Sequence, residues 1–133
     1  MNWKLILQLS LFGLAMAVGT VFVIPSNVEP LFWLAIFAVC AYLIATKAPG
    51  RYFLHGLATS LVNSAWITAV HVILFDTYVA NHPREAEMMT KLPISPKLMM
   101  LCTGPIIGVI SGLVLGLFAV IARKIVASRS PRP

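Results

Sequence analysis

The amino-acid sequence predicts an all-α fold, a four-helix transmembrane bundle with both termini on the cytoplasmic side. Three observations predict it. Apolar runs recur at about residues 5–24, 31–46, 53–80 and 98–122. As helices rising ~1.5 Å per residue they match ~30 Å of hydrocarbon, although the second is short. Hydrophobic residues make up 59% of the chain and charged residues only 11%, outside the range of soluble domains. The charges also sort by side. Lys4, Lys47, Arg51, Arg123, Lys124, Arg129 and Arg132 fall at one set of helix ends. Glu29, Asp76, Glu85 and Glu87 fall at the other, with Arg84, Lys91 and Lys97. The positive-inside rule assigns the first group to the cytoplasm of a bacterial inner membrane. A single integral membrane domain over residues 1–133 is expected, since no polar linker separates two units.

Helix 1 begins like a secretory signal, with Lys4, an apolar stretch and Ala15-Met16-Ala17. The run continues past Ala17 to Ile24, so an uncleaved span is expected. Ile24-Pro25-Ser26-Asn27 marks the first turn. Pro30 suits the first turn of helix 2, where a missing N–H costs nothing, and Phe32 and Trp33 sit at the outer boundary where aromatic belts form. Ala48-Pro49-Gly50 ends helix 2.

Helix 3 carries a polar stripe. Ser60, Asn63, Ser64, Thr68 and His71 share one half of its wheel with Gly56 and Thr59. Such a stripe is costly against lipid, so it faces protein or a cavity. Residues 81–97 form the one sizeable outer loop, with a short surface helix starting at His82-Pro83 and ended by Pro93 and Pro96. Helix 4 holds Gly104, Gly108, Gly112 and Gly116 at a strict spacing of four, a glycine zipper. Close backbone approach over small residues supplies helix contact where hydrophobic drive is absent, and packing within the chain is the simpler expectation.

No catalytic motif is present, and no cofactor is expected. Metal ligation would draw on His71, Asp76, His82 and Glu85, with Glu87 nearby and the Met88-Met89 and Met99-Met100 pairs suited to copper(I). Their spacing matches no ligand pattern. His71 reads more simply as a buried imidazole bonded to a hydroxyl or carbonyl. A proton or ion path along Asn63, Ser64 and His71 competes with hydrogen-bonded packing, because no Asp, Glu, Lys or Arg lies deep in a span. His55 and His71 lie sixteen residues apart, ~24 Å along one helix, too far to share a haem. His55 is expected at the membrane interface. Cys40 and Cys102 share no metal or redox spacing and read as small apolar residues.

Ser60-Leu61-Val62-Asn63-Ser64-Ala65-Trp66, then Asn81-His82-Pro83-Arg84-Glu85-Ala86-Glu87, then a glycine-rich last helix and an Arg-Lys tail, form a pattern over residues 56–124. It resembles small four-span bacterial inner-membrane proteins classed as domains of unknown function. That resemblance implies the fold and transfers no catalytic residues. Small multidrug transporters share the length and span count, but their glutamate in helix 1 is missing, with Gln8 in its stead.

The resulting expectation is a non-enzymatic membrane protein acting as a homo-oligomer or as an accessory subunit of a larger complex. Its partners are then the bilayer and anionic lipids at the cytoplasmic face. Nucleic acid is excluded, because the bases behind the net charge of +6 are scattered over helix ends. The alternatives are a small transporter or channel with a polar path on helix 3, and an outer-side metal-binding protein.

Overall fold

The computed structural model describes residues 1–131, so Arg132, one of the seven bases assigned to the cytoplasmic side, lies outside the described residues. Six helices follow in order: α1 (Trp3–Phe22), α2 (Glu29–Lys47), α3 (Tyr52–Ile73), α4 (Phe75–Asn81), α5 (Pro83–Thr90) and α6 (Pro96–Arg129). No strand occurs among the described residues. Four of them, α1, α2, α3 and α6, are long and apolar enough to cross a membrane.

Local chemistry sets most of the boundaries. Asn2 starts α1 by accepting a hydrogen bond on Oδ1 from the Leu5 N–H, satisfying one orphan donor of the first turn. At the other end the Val23 and Ile24 N–H groups both donate to the Gly19 carbonyl, and Pro25 prevents continuation. Glu29 and Lys47 occupy the first and last turns of α2, the signs that the helix dipole favours. Ala48, which precedes Pro49, is extended at ψ 141°, and the turn is completed by Gly50 and Arg51 with φ of 146° and 48°. The apolar run of residues 53–80 is not one helix: α3 ends at Ile73, and Leu74 breaks the path at φ −101°, ψ 33° before α4 begins. The surface helix α5 opens on Pro83. The last span continues beyond residue 122 to Arg129 and, at ~1.5 Å per residue, is far longer than the hydrocarbon is thick.

Contacts between residues give the topology. α1 and α3 run parallel, with Asn2 near His55 at one end and Thr20 near His71 at the other. α6 runs antiparallel to α3, bringing Gly116 to Gly56 and Gly104 to Thr68. α3 is therefore the central helix, held by α1 on one side and α6 on the other, while α2 packs mainly on α6. The bundle has two unlike ends. At the end that carries Asn2 and Arg129, all but α3 contribute to one apolar core: Leu5 and Leu9, Cys40, Ala41, Ile44 and Ala48, and Leu115 and Ala119. Tyr52 of α3 packs against it and lies 5.4 Å below the Arg123 guanidinium. At the opposite end, which carries α4 and α5, α2 and α3 stand apart. Leu31, Leu34, Val39, Ile106, Ile110, Leu113 and Ile121 point outward and exposed, as spans bounded by lipid require.

Candidate functional site

The polar stripe of α3 is divided between two neighbours. Towards α6, the Ser60 hydroxyl lies 2.7 Å from Ser111 Oγ, which itself donates to the Ile107 carbonyl at 2.6 Å. Ser60 is thus the donor of that pair. Ser64 Oγ donates to the Gly104 carbonyl at 2.5 Å. Towards α1, His71 Nε2 lies 2.8 Å from Thr20 Oγ1, and Thr20 donates to the Ala17 carbonyl at 3.1 Å. His71 Nε2 therefore carries the hydrogen. Trp66 faces outward, yet its indole N–H reaches back to Ser10 Oγ at 3.2 Å.

Glycines permit these approaches. A Cβ on Gly108 would lie 2.7 Å from Ser64 Cβ, one on Gly112 2.7 Å from Leu57 Cδ1, and one on Gly116 2.7 Å from the Phe53 ring. Gly104 abuts the Thr68 side chain. All four glycines of α6 thus face α3 of the same chain. Gly56, on α3, meets Gly116 backbone to backbone, and Gly13 of α1 seats Asn63.

Asn63 is buried, but neither its amide nitrogen nor its oxygen has a hydrogen-bond partner, and Thr59 Oγ1 is in the same position. The hydrogen-bonded alternative to an ion path along Asn63, Ser64 and His71 is found at Ser64 and His71 but not at Asn63. An orphaned buried amide costs ~1–3 kcal/mol in stability. His55 is buried as well. It lies in the first turn of α3, at the helix end expected at the interface, but is fully buried against α1: Nε2 accepts from the Asn2 N–H at 2.9 Å, while Nδ1 sits 3.0 Å from the Arg51 carbonyl. It ties the start of α1 to the start of α3.

The break at Leu74 has a consequence for His71. On a straight helix Tyr78 would lie ~10 Å further along the axis. Instead its ring stacks on His71 at 4.5 Å and on His82 at 4.3 Å between centroids. His82 Nδ1 lies 3.0 Å from the Tyr78 carbonyl, whereas Nε2 is buried without a partner beside a small cavity lined by Thr20, Pro25 and Asn81. Asp76 is exposed, and the Ser26 hydroxyl beside Glu85 is the largest cause holding that carboxyl below the usual glutamate range. His71, Asp76, His82 and Glu85 are thus not gathered. No three His, Cys, Asp or Glu side chains come together as a metal site among the described residues. Cys40 is buried in the core and Cys102 is exposed, so the two are separate.

A cleft of about 410 Å³ occupies the gap where α2 stands away from α3. Ser60, Ser64, Thr68 and His71 form one wall. Trp33 and Phe37 form the wall opposite, with Glu29 above them, and Met100, Thr103 and Ser111 come from α6. Tyr78 of α4 and Met89 of α5 also border it. Since Ser60 and Ser64 sit near the middle of α3, the cleft reaches about halfway through the bundle. Its volume lies within the ~300–1,000 Å³ of small-molecule sites, and its lining is their usual mixture of apolar walls and a few polar groups.

Sequence reasoning found one wall and missed the other. Glu29 and Trp33 read as a rim charge and a belt aromatic. Their spacing of four on a helix was the available signal, because it lets Trp33 Nε1 donate to Glu29 Oε1 at 3.1 Å. No family model matches the chain, and no curated protein or solved structure matches it either.

Proposed function

We propose that this chain is a small non-enzymatic carrier of the bacterial inner membrane. In this reading both termini are cytoplasmic, and the cleft admits a small molecule from the outer side. The half-depth cleft is the observation that carries the reading. It joins a polar wall on α3 to an apolar wall on α2, and the apolar core closes the opposite half of the bundle. A closed half suits a protein that binds and then rearranges better than an open pore. The same distribution of charge supports the orientation, with anionic lipids gathered by Arg123, Lys124 and Arg129 on the cytoplasmic face. The homo-oligomer or accessory-subunit reading has less support. It needs a free packing surface, and α3 already covers the glycine face of α6.

Thr103 is exposed and borders the cleft, so Thr103→Trp fills the cleft without disturbing a buried bond. Purified protein in lipid nanodiscs, screened against cationic, neutral and anionic aromatic probes, is expected to gain thermal stability from at least one class. The gain should vanish in Thr103→Trp, and proteoliposomes should take up the same probe. If no class stabilises or crosses with wild-type protein, the carrier reading is refuted.

A further inference from the structure

We propose that the cleft selects lipophilic organic cations, recognised by Glu29 and Trp33 of α2. This specificity rests on the carrier reading given above.

The chain carries ten Lys and Arg against four Asp and Glu. Among the described residues no Lys or Arg lines the cleft, and the one formal charge in its lining is Glu29. Two of the three bases at that end are engaged elsewhere. Lys91 pairs with Glu87 at 3.2 Å, and the Lys97 ammonium lies 5.5 Å over the Phe75 ring. A site of negative sign inside a strongly positive protein disfavours an anionic ligand and leaves a cation as the complement.

Geometry then narrows the cation. The Trp33 indole N–H holds Glu29 Oε1 at 3.1 Å, which fixes the carboxylate, and no hydrogen bond to Oε2 is found among the described residues. Two aromatic rings of α2 accompany it, Trp33 and Phe37, edge-on to each other at 6.0 Å; Tyr78 also borders the cleft, but its ring is stacked on His71 and His82. Aromatic faces attract cations, and most strongly where water is excluded. A small metal ion needs several oxygen ligands close together to replace its water, but the one carboxylate lies on the side opposite the hydroxyls of Ser60, Ser64 and Thr68, and the rest of the lining includes Trp33, Phe37, Ile67 and Met100. A bulky cation with dispersed charge loses less hydration on entry and buries apolar surface against those same residues.

The test uses two ions of the same shape and opposite charge. Equilibrium dialysis measures tetraphenylphosphonium and tetraphenylborate binding to the full chain in zwitterionic nanodiscs, with empty nanodiscs subtracted. The expected result is saturable phosphonium binding and no saturable borate binding. Glu29→Gln should weaken the phosphonium by about tenfold or more, since it keeps an acceptor for Trp33 and removes only the charge. Trp33→Phe, which keeps an aromatic face and frees the carboxylate, should give a smaller loss. Thermal unfolding of both variants establishes that they are folded, and failure of either to fold leaves the borate comparison and the other variant to decide. Saturable binding of both ions, unchanged by Glu29→Gln and abolished by Thr103→Trp, would overturn the cation assignment and leave the cleft reading standing. Saturable binding of neither ion would also overturn it. If the neutral probes bind instead, the cleft reading survives; if they too fail, both readings fall.

Discussion

Gly56→Ala tests the central contact of the bundle. The added Cβ would lie 2.7 Å from both the Gly116 Cα and N and 2.8 Å from the Leu115 carbonyl carbon. All three are backbone atoms, so no side chain can rotate away. Ordinary contact requires α3 and α6 to separate by ~1 Å there, and overpacking of this kind costs ~1–3 kcal/mol. The separation also stretches the Ser60–Ser111 pair, now 2.7 Å, one turn along α3. Such a bond averages ~0.6 kcal/mol in a membrane. Against this stands the gain in helix propensity from Gly to Ala, ~1 kcal/mol. The net expectation is a destabilisation of ~1–2 kcal/mol after that offset. Gly19→Ala is the control, because its Cβ meets only the tip of the Ile24 side chain at 2.9 Å, which can move. Unfolding by SDS titration in mixed micelles, followed by Trp fluorescence, measures both. The control should gain about 1 kcal/mol from helix propensity, and a Gly56→Ala midpoint equal to or above that of Gly19→Ala would refute the backbone contact between α3 and α6.

Three further outcomes are expected. Asn63→Val removes two orphaned polar atoms and places no atom beyond the γ position against Gly13, so it should stabilise the fold by ~1 kcal/mol or more in the same titration; a loss of stability would mean that Asn63 has a partner. A cysteine at Ser128 should resist impermeant thiol reagents added to intact cells, while one at Ala86 should label, in a background lacking Cys40 and Cys102. The reverse pattern would invert the proposed orientation. The folded-state pKa of Glu85 is lowered, first by the Ser26 hydroxyl, so its contribution is present above the ordinary glutamate pKa and is lost as pH falls through the folded value. Ser26→Ala should raise the Glu85 midpoint in a carboxyl-labelled NMR titration, and an unmoved midpoint would contradict that cause.

Hydropathy and turn chemistry determined the number of spans, their order and the shared side of the termini. Residues 5–24 and 31–46 read directly as α1 and α2, and His82-Pro83 marks the start of α5. These features are local. A run either is or is not long enough to match the bilayer, and Pro25, Pro30 and Pro83 act on their own segments. Tertiary structure alone decided the rest. Nothing near Leu74, neither glycine nor proline, announces the break that brings Tyr78 onto His71. The four glycines of α6 declare a close contact without naming α3 as its partner, and Gly56 gains its meaning only from Gly116. The polar stripe requires a neighbour or a cavity, and the bundle gives it both: α1 for Asn63, the cleft for Ser64 and Thr68. The physical reason is that lipid tails are as apolar as the helices themselves. Burial therefore ranks no one partner above another, and the arrangement is chosen by shape and by hydrogen bonds between residues far apart in the chain.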